Sequence, residues 1–98
     1  MRLNGKNAVV TGAGQGMGRD ISLCFAVEGA DLVLAGRRRE PLESLVDEVQ
    51  SLGRRALAVP TDVSEEGAVE NLISEAGAFF DDRIDILMPV SYTHLRAH

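Results

Sequence analysis

Short runs of apolar residues alternate along the chain with longer segments in which apolar residues recur every three or four positions. The runs predict strands at residues 7–11, 32–35, 56–59 and 84–88, and the continuous apolar stretches in the first two are typical of strands buried on both faces of a parallel sheet. The longer segments predict amphipathic helices at residues 16–28, at 41–52 and from Ser64 to about residue 80.

Residues with local conformational preferences mark the ends of these helices. Gly29 and Gly53 follow the first two helices and are typical of a helix stop. Pro41 falls in the first turn of the second helix, where a missing N–H group has no effect on the hydrogen bonding. Ser64 is the predicted N-cap of the third helix, and the two glutamates that follow it complement the helix dipole.

The helical periodicity also predicts which side chains are buried. In the first helix the expected buried stripe contains Met17, Ile21, Cys24 and Phe25, so Cys24 should pack as a small hydrophobic residue without a disulfide partner. The phenylalanines are expected in the core. The expected stripe of the third helix is Val69, Leu72, Ile73, Ala76, Phe79 and Phe80.

The strict alternation of strands and helices predicts the fold class. Strands joined through helices of this length form parallel sheets with right-handed crossovers. We therefore expect an α/β, doubly wound parallel sheet, a Rossmann fold, that ends after its fourth strand.

Composition and net charge exclude several classes of function. The 98 residues, 45% hydrophobic and 26% charged, predict one soluble unit, and the net charge of −5 argues against binding to nucleic acid or to an anionic membrane surface. No apolar run has the length of a signal peptide or of a membrane span, so a cytoplasmic location is expected. His94 and His98 are not joined by a third ligand, and no metal site is predicted.

A glycine-rich turn follows the first strand. Its glycines are Gly12, Gly14, Gly16 and Gly18, and the spacing GxGxxG fails because the third glycine would fall at Met17. The spacing that fits is TGxxxGxG, beginning at Thr11. A turn of this kind brings backbone N–H groups and the positive end of a helix dipole to a diphosphate.

This motif, in its strand-turn-helix context, resembles the cofactor motif of the short-chain dehydrogenase/reductase family over residues 3–88. The resemblance implies an oxidoreductase that moves hydride between a nicotinamide cofactor and a carbonyl or alcohol. It also implies that Gly12, Gly16 and Gly18 hold the diphosphate, with backbone contacts from Gln15 and Met17. The complete protein of such a family is expected to be a homo-oligomer.

The end of the second strand distinguishes the two nicotinamide cofactors. An acidic residue there would bind the ribose 2′-hydroxyl of NAD, but the position is Gly36, followed by Arg37. A guanidinium group pairs well with a 2′-phosphate, so NADP is predicted over NAD. Arg38 either assists Arg37 or is a solvated charge at a helix start. Gln15 is the opposing indication, since basic residues or serine are frequent there in NADP-dependent members.

Asp62 and Val63 follow the third strand at the position where the family contacts adenine. The resemblance implies that the Asp62 carboxylate accepts a hydrogen bond from the adenine amino group and that Val63 contributes a backbone contact. The alternative for Asp62 is a helix cap.

No catalytic residue is predicted within the chain. The family's NNAG-like segment, catalytic serine and YxxxK pair have no counterpart, and Ser91, Tyr92 and Arg96 have the wrong spacing and the wrong base. The ending SYTHLRAH resembles translated sequencing-adaptor sequence. We therefore expect residues 1–88 to be the N-terminal part of a dinucleotide-binding domain, residues 89–98 to be a non-native or disordered tail, and the fragment to be inactive.

Two alternatives remain at this stage. The first is a nucleotide-binding module without redox activity. The second is an S-adenosylmethionine-dependent methyltransferase fragment, since Gly12, Gly14 and Gly16 also satisfy GxGxG. The second is disfavoured because Gly36 stands where an acidic residue should bind the ribose hydroxyls.

Overall fold

The computed structural model describes residues 2–14, 16–62 and 64–90, which form an alternating series of strands and helices. In chain order the elements are β1 (Asn7–Val10), α1 (Gly16–Val27), β2 (Asp31–Gly36), α2 (Arg39–Ser51), β3 (Ala56–Pro60), α3 (Ala68–Phe80) and β4 (Ile86–Met88).

The four strands found among these residues form one parallel sheet in the order β3-β2-β1-β4. Val9 of β1 pairs with Val33 of β2 on one side and with Leu87 of β4 on the other. The chain therefore moves outward from β1 to β3 and then crosses back to the opposite side of β1. This reversal confirms the doubly wound class and places a topological switch point between β1 and β4.

Successive strand residues point to opposite faces of the sheet and build two cores. Ala8 and Val10 belong to the core beneath α1 and α2, whereas Val9 belongs to the core beneath α3. The cluster on the α3 side contains Val9, Val33, Ala35, Val59, Leu72, Ala76 and Phe80. Both faces of β1 and β2 are thus covered, as their continuous apolar runs predicted, whereas Leu87 of β4 is 55% exposed.

The predicted buried stripe of α1 is wrong for two of its four residues, whereas Ile21 and Phe25 are half-buried and Phe25 packs against the core. The residues buried along this helix are Gly18, Ser22 and Ala26, whereas Met17 is 53% exposed and Cys24 is exposed. Small residues at four-residue spacing let the helix approach the sheet closely, and the larger apolar side chains are displaced sideways. Apolar periodicity alone selects the larger residues and misses this arrangement.

The predicted start of α3 is also wrong. The helix begins at Ala68, after Gly67 in the left-handed conformation with φ of 84°, because the Ser64 hydroxyl is bonded to Asp62 and does not cap the helix. Within the helix Leu72, Ala76, Gly77 and Phe80 are buried, but Val69 and Ile73 are 50% and 40% exposed.

The fourth strand is shorter than predicted, because it begins at Ile86 and not at residue 84. The carboxylate of Asp85 accepts a hydrogen bond from the Asn7 N–H group, and the Asn7 side-chain amide donates to the Arg83 carbonyl. Together with the Asp85 N–H group, which donates to the Asn7 carbonyl at 2.8 Å, these bonds join the residues ahead of β4 to the start of β1. Among the described helices, none combines the length and apolar character needed to cross a membrane.

Candidate functional site

The glycine-rich loop joins β1 to α1 at the carboxyl edge of the sheet. The Thr11 N–H group donates to the Met88 carbonyl of β4 at 3.1 Å, and the Ala13 N–H group donates to the Ala35 carbonyl of β2 at 2.9 Å. The loop is therefore fixed to the strands on both sides of β1. Because α1 begins at Gly16, its amino terminus opens at the same edge, and the backbone N–H groups and helix dipole there favour an anion.

Three of the glycines are required by the geometry of this loop. Gly12 and Gly16 have φ angles of +64° and +61°, in the left-handed region that favours glycine. A Cβ atom on Gly12 would also lie 2.6 Å from the Val90 carbonyl oxygen. The backbone of Gly12 fills the space beside Gly18, so neither residue tolerates a side chain. The TGxxxGxG spacing thus identifies the glycines that form the tight turn.

The remaining loop residues have different environments. A Cβ atom on Gly14 would lie 3.1 Å from the Cβ atom of Pro41, so this glycine packs beneath the first turn of α2. Met17 lies in the first turn of α1, where its N–H group is available to a ligand at the helix amino terminus. Gln15 lies outside the described residues, and its predicted backbone contact stays a prediction.

Thr11 has a structural contact within the loop. Its hydroxyl oxygen accepts a hydrogen bond from the Val90 N–H group at 3.1 Å. Val90, which the sequence analysis assigns to the tail, thereby joins the segment after β4 to the end of β1.

The end of β2 lies next to the glycine-rich loop. A Cβ atom on Gly36 would lie 3.7 Å from the Gly14 nitrogen and 3.3 Å from a methyl group of Leu42. The next residue, Arg37, has a side chain that is 80% exposed, with its Nε atom 3.8 Å from the Asp62 Oδ2 atom. The structure thus brings together Arg37 and Asp62, which the sequence places 25 positions apart.

The other two arginines of this segment have different environments. Arg38 is the N-cap residue of α2 in an extended conformation, and its side chain makes no ion pair within the described ranges. Arg39 forms an ion pair with Glu43 at 3.3 Å, one helical turn further on. Arg37 is therefore the arginine that the structure associates with Asp62.

Asp62 makes a local turn and does not cap α3. Its Oδ1 atom accepts hydrogen bonds from the Ser64 hydroxyl at 2.6 Å and from the Ser64 N–H group at 3.0 Å. These bonds, with a smaller contribution from the Arg37 charge, hold the pKa of Asp62 below its ordinary value of 3.8. Val63, the predicted backbone contact, lies outside the described residues.

Ser64 is the member of this site that the sequence analysis missed. An aspartate followed two residues later by a serine forms the side-chain turn seen here, in which the carboxylate accepts from the backbone and from the hydroxyl. That pattern is present in residues 62 and 64 and was interpreted as the start of a helix. The consequence of the error is local, because α3 still covers the same face of the sheet.

The carboxyl ends of β1, β2 and β3 therefore carry a glycine loop, a helix amino terminus, an exposed arginine and a fixed carboxylate. Ligands of open parallel sheets bind at this edge beside the switch point. The fold and this edge define the class as a nucleotide-binding, doubly wound α/β protein.

Comparison with known proteins identifies the family. Residues 6–91 match the family model of the short chain dehydrogenases. A 7alpha-hydroxysteroid dehydrogenase of Escherichia coli strain K12 is 37% identical over 92 residues, which cover 90% of this chain and 34% of that relative. A short chain dehydrogenase of Pseudocercospora fijiensis is 37% identical over 90 residues, covering 92% of this chain and 29% of the relative. The chain belongs to the short-chain dehydrogenase family.

Solved structures agree with this assignment. The crystal structure of a hydroxysteroid dehydrogenase from Escherichia coli superposes with a TM-score of 0.85 at 36% identity, covering 90% of this chain and 37% of the other. A 7alpha-hydroxysteroid dehydrogenase complexed with NADH and 7-oxo glycochenodeoxycholic acid gives a TM-score of 0.84 at 37% identity, with 88% and 33% coverage. The chain spans about a third of the length of these relatives.

Proposed function

We propose that the chain is the cofactor-binding part of an NADP-dependent short-chain oxidoreductase. When bound, the nicotinamide cofactor supplies or accepts the hydride that is exchanged with a carbonyl or alcohol. The observation that carries the NADP preference is the exposed guanidinium of Arg37 immediately after Gly36, at the carboxyl end of β2.

The glycine loop suits the diphosphate of such a cofactor. The spaces that side chains on Gly12 and Gly18 would need are filled by backbone, so the loop presents peptide groups and not side chains to a ligand. Gly16 and Met17 place the amino terminus of α1 beside it. Backbone N–H groups and the helix dipole stabilise a diphosphate without requiring a basic side chain.

Arg37 and Asp62 suit the adenosine part of the cofactor. An arginine binds a phosphate in a bidentate manner through two charge-assisted hydrogen bonds. The high exposure of Arg37 leaves its donors accessible to a 2′-phosphate. The Asp62 carboxylate is fixed through Ser64 and would accept a hydrogen bond from the adenine amino group. Gly36 provides no carboxylate that would repel the phosphate.

Two structural relatives are complexes with the other cofactor, one with NADH and one, a xylitol dehydrogenase, with NAD⁺. They support a nicotinamide dinucleotide as the ligand class. The proposed preference for the phosphorylated form rests on Gly36 and Arg37 of this chain. Membership of the family also argues against the methyltransferase alternative.

The catalytic serine, tyrosine and lysine of the family have no match among the 98 residues. We accordingly propose that this chain binds the cofactor without turning over a carbonyl substrate. A nucleotide-binding module without redox activity remains the second candidate, and a tyrosine and lysine four residues apart in an extended reading frame would exclude it.

Fluorescence titration of the purified chain with NADPH and NADH tests the proposal. We expect tighter binding of NADPH, and equal or tighter binding of NADH would refute the preference. Gly36→Asp sharpens the test, because the added carboxylate should bind the ribose 2′-hydroxyl and reverse the preference toward NADH. Gly36→Ala is the matched control, since it makes the same Cβ contact with the flexible Leu42 side chain but adds no charge.

A further inference from the structure

Arg37 lies next to a negative charge of the protein itself, the Asp62 carboxylate. Its Nε atom lies 3.8 Å from the Asp62 Oδ2 atom, and the Arg37 side chain is 80% exposed whereas that of Asp62 is 33% exposed. The guanidinium is thus the more exposed partner, and the carboxylate, which Ser64 also contacts, is the better fixed of the two. A ligand phosphate would meet Arg37 in the presence of this competing negative charge.

The two carboxylate oxygens of Asp62 have different partners. Oδ1 accepts both hydrogen bonds from Ser64 and is held by them, whereas Oδ2 is the atom directed at Arg37. The local turn therefore fixes the orientation in which Asp62 presents its charge to the arginine. The contact leaves the other guanidinium donors of Arg37 accessible to a 2′-phosphate, but the phosphate and Oδ2 would then share one positive charge.

We propose that Asp62 is a specificity-determining residue, whose Oδ2 atom competes with the cofactor 2′-phosphate for Arg37 and so limits the preference for NADP over NAD. This inference rests on the proposed NADP preference. It assigns Asp62 a second effect besides its expected contact with adenine. Because adenine is common to both cofactors, the adenine contact cancels when the two affinities are compared as a ratio.

The test uses adenosine 2′,5′-bisphosphate and adenosine 5′-monophosphate, which differ only in the 2′-phosphate. Isothermal titration calorimetry of the full chain gives the ratio of their dissociation constants. We expect Asp62→Asn to increase the preference for the bisphosphate by about two- to fivefold, the range that corresponds to loss of one exposed ion pair. The increase should vanish when Arg37→Gln is also present.

Glu43→Gln is the matched control. It removes one negative charge from α2, the helix that follows Arg37 in the chain, but Glu43 pairs with Arg39 and not with Arg37. An increase in preference equal to that of Asp62→Asn would overturn the proposal, since it would reflect net charge alone. Circular dichroism of each variant establishes that the fold is retained.

The outcomes separate this inference from the proposed function. If Arg37→Gln abolishes the preference for the bisphosphate but Asp62→Asn leaves it unchanged, the competition is refuted and the NADP preference stands. If Asp62→Asn acts equally with and without Arg37, the competition is again refuted. If Arg37→Gln leaves the preference unchanged, or the folded chain binds neither nucleotide, both proposals fail.

Discussion

The backbone carbonyl of Gly12 occupies the space that a side chain on Gly18 would require. Gly12 begins the turn after β1 and Gly18 lies in the first turn of α1, so this contact sets how closely the helix approaches the sheet. The glycine at position 18 is therefore a packing requirement, and its effect on a bound diphosphate is indirect.

Gly18→Ala should destabilise the chain by about 3 kcal/mol, at the upper end of the range for overpacked sites, because the atoms it meets are backbone and cannot rotate away. Urea denaturation followed by circular dichroism measures the change.

Gly77→Ala is the control for helix propensity, because it makes the same substitution inside α3. The nearest atom there is the end of the flexible Asp82 side chain, at 2.9 Å. We expect a neutral or slightly stabilising effect, since alanine is favoured over glycine within helices. Equal destabilisation by both substitutions would contradict the packing role of Gly18.

Thr11→Val should destabilise the chain by about 1 kcal/mol, because it leaves the Val90 N–H group without its acceptor. The shape of the side chain is nearly unchanged, so the loss reports the hydrogen bond. Thr11→Ser retains the hydroxyl and should recover much of the stability. Unfolding midpoints in urea distinguish the three proteins, and a stability of Thr11→Val equal to the parent would argue against this bond.

The sequence was sufficient to predict the order of elements and the parallel sheet, because strands and helices alternate strictly and the two inner strands, β1 and β2, contain continuous apolar runs bounded by glycine or a polar residue. The glycine loop could also be predicted from the sequence, because the left-handed residues Gly12 and Gly16 and the close contact between Gly12 and Gly18 all require glycine. Arg37 and Asp62 could be placed at the ends of neighbouring strands, but their direct contact depends on side-chain directions that the sequence does not specify.

The errors at α1 and α3 have different physical causes. The buried face of α1 consists of Gly18, Ser22 and Ala26, whose small size permits close packing, whereas periodicity favours large apolar residues such as Met17. At α3 the competition was between two hydrogen-bonding roles for Ser64, a helix cap and a side-chain turn. The turn is formed because Asp62 lies two residues away.

Cys24 should react rapidly with a thiol reagent in the native chain. It is exposed and lines a shallow depression on α1 with Leu23 and Val27, so folding does not shield its sulfur. Titration with a chromogenic disulfide should modify one thiol at a rate close to that in denaturant. Cys24→Ser provides the blank, and strong protection in the folded chain would contradict the exposure of this residue.

Asp85→Ala should destabilise the chain at neutral pH, since the Asp85 carboxylate accepts from the Asn7 N–H group at 2.9 Å and pairs with Arg83 at 3.5 Å. These contacts, first that of Asn7, lower the pKa of Asp85 below 3.8. The stabilisation is therefore present above that value and is lost as the pH falls through the lowered pKa.

Denaturation midpoints across an acid series test this dependence on Asp85. The parent and Asp85→Ala should converge at acidic pH, whereas Asp85→Asn, which keeps an acceptor for Asn7, should be less destabilised than Asp85→Ala at neutral pH. A constant difference between the parent and Asp85→Ala at every pH would show that the charge of Asp85 is not responsible.

Ser64→Ala should raise the pKa of Asp62 toward 3.8, and by more than Arg37→Gln does. The hydroxyl of Ser64 is the largest cause of the lowered pKa, followed by the Ser64 N–H group, and the Arg37 charge acts through an exposed contact at 3.8 Å. Nuclear magnetic resonance titration of the Asp62 carboxyl carbon measures both shifts without any ligand. Because the pKa of Asp62 is lowered in the folded state, the stability lost in Ser64→Ala is visible above pH 3.8. The loss disappears as the pH falls through the lowered pKa.

Ser64→Thr is the control, because it retains the hydroxyl and should preserve the low pKa of Asp62. A larger pKa shift in Arg37→Gln than in Ser64→Ala would mean that the arginine, and not the turn, fixes the carboxylate.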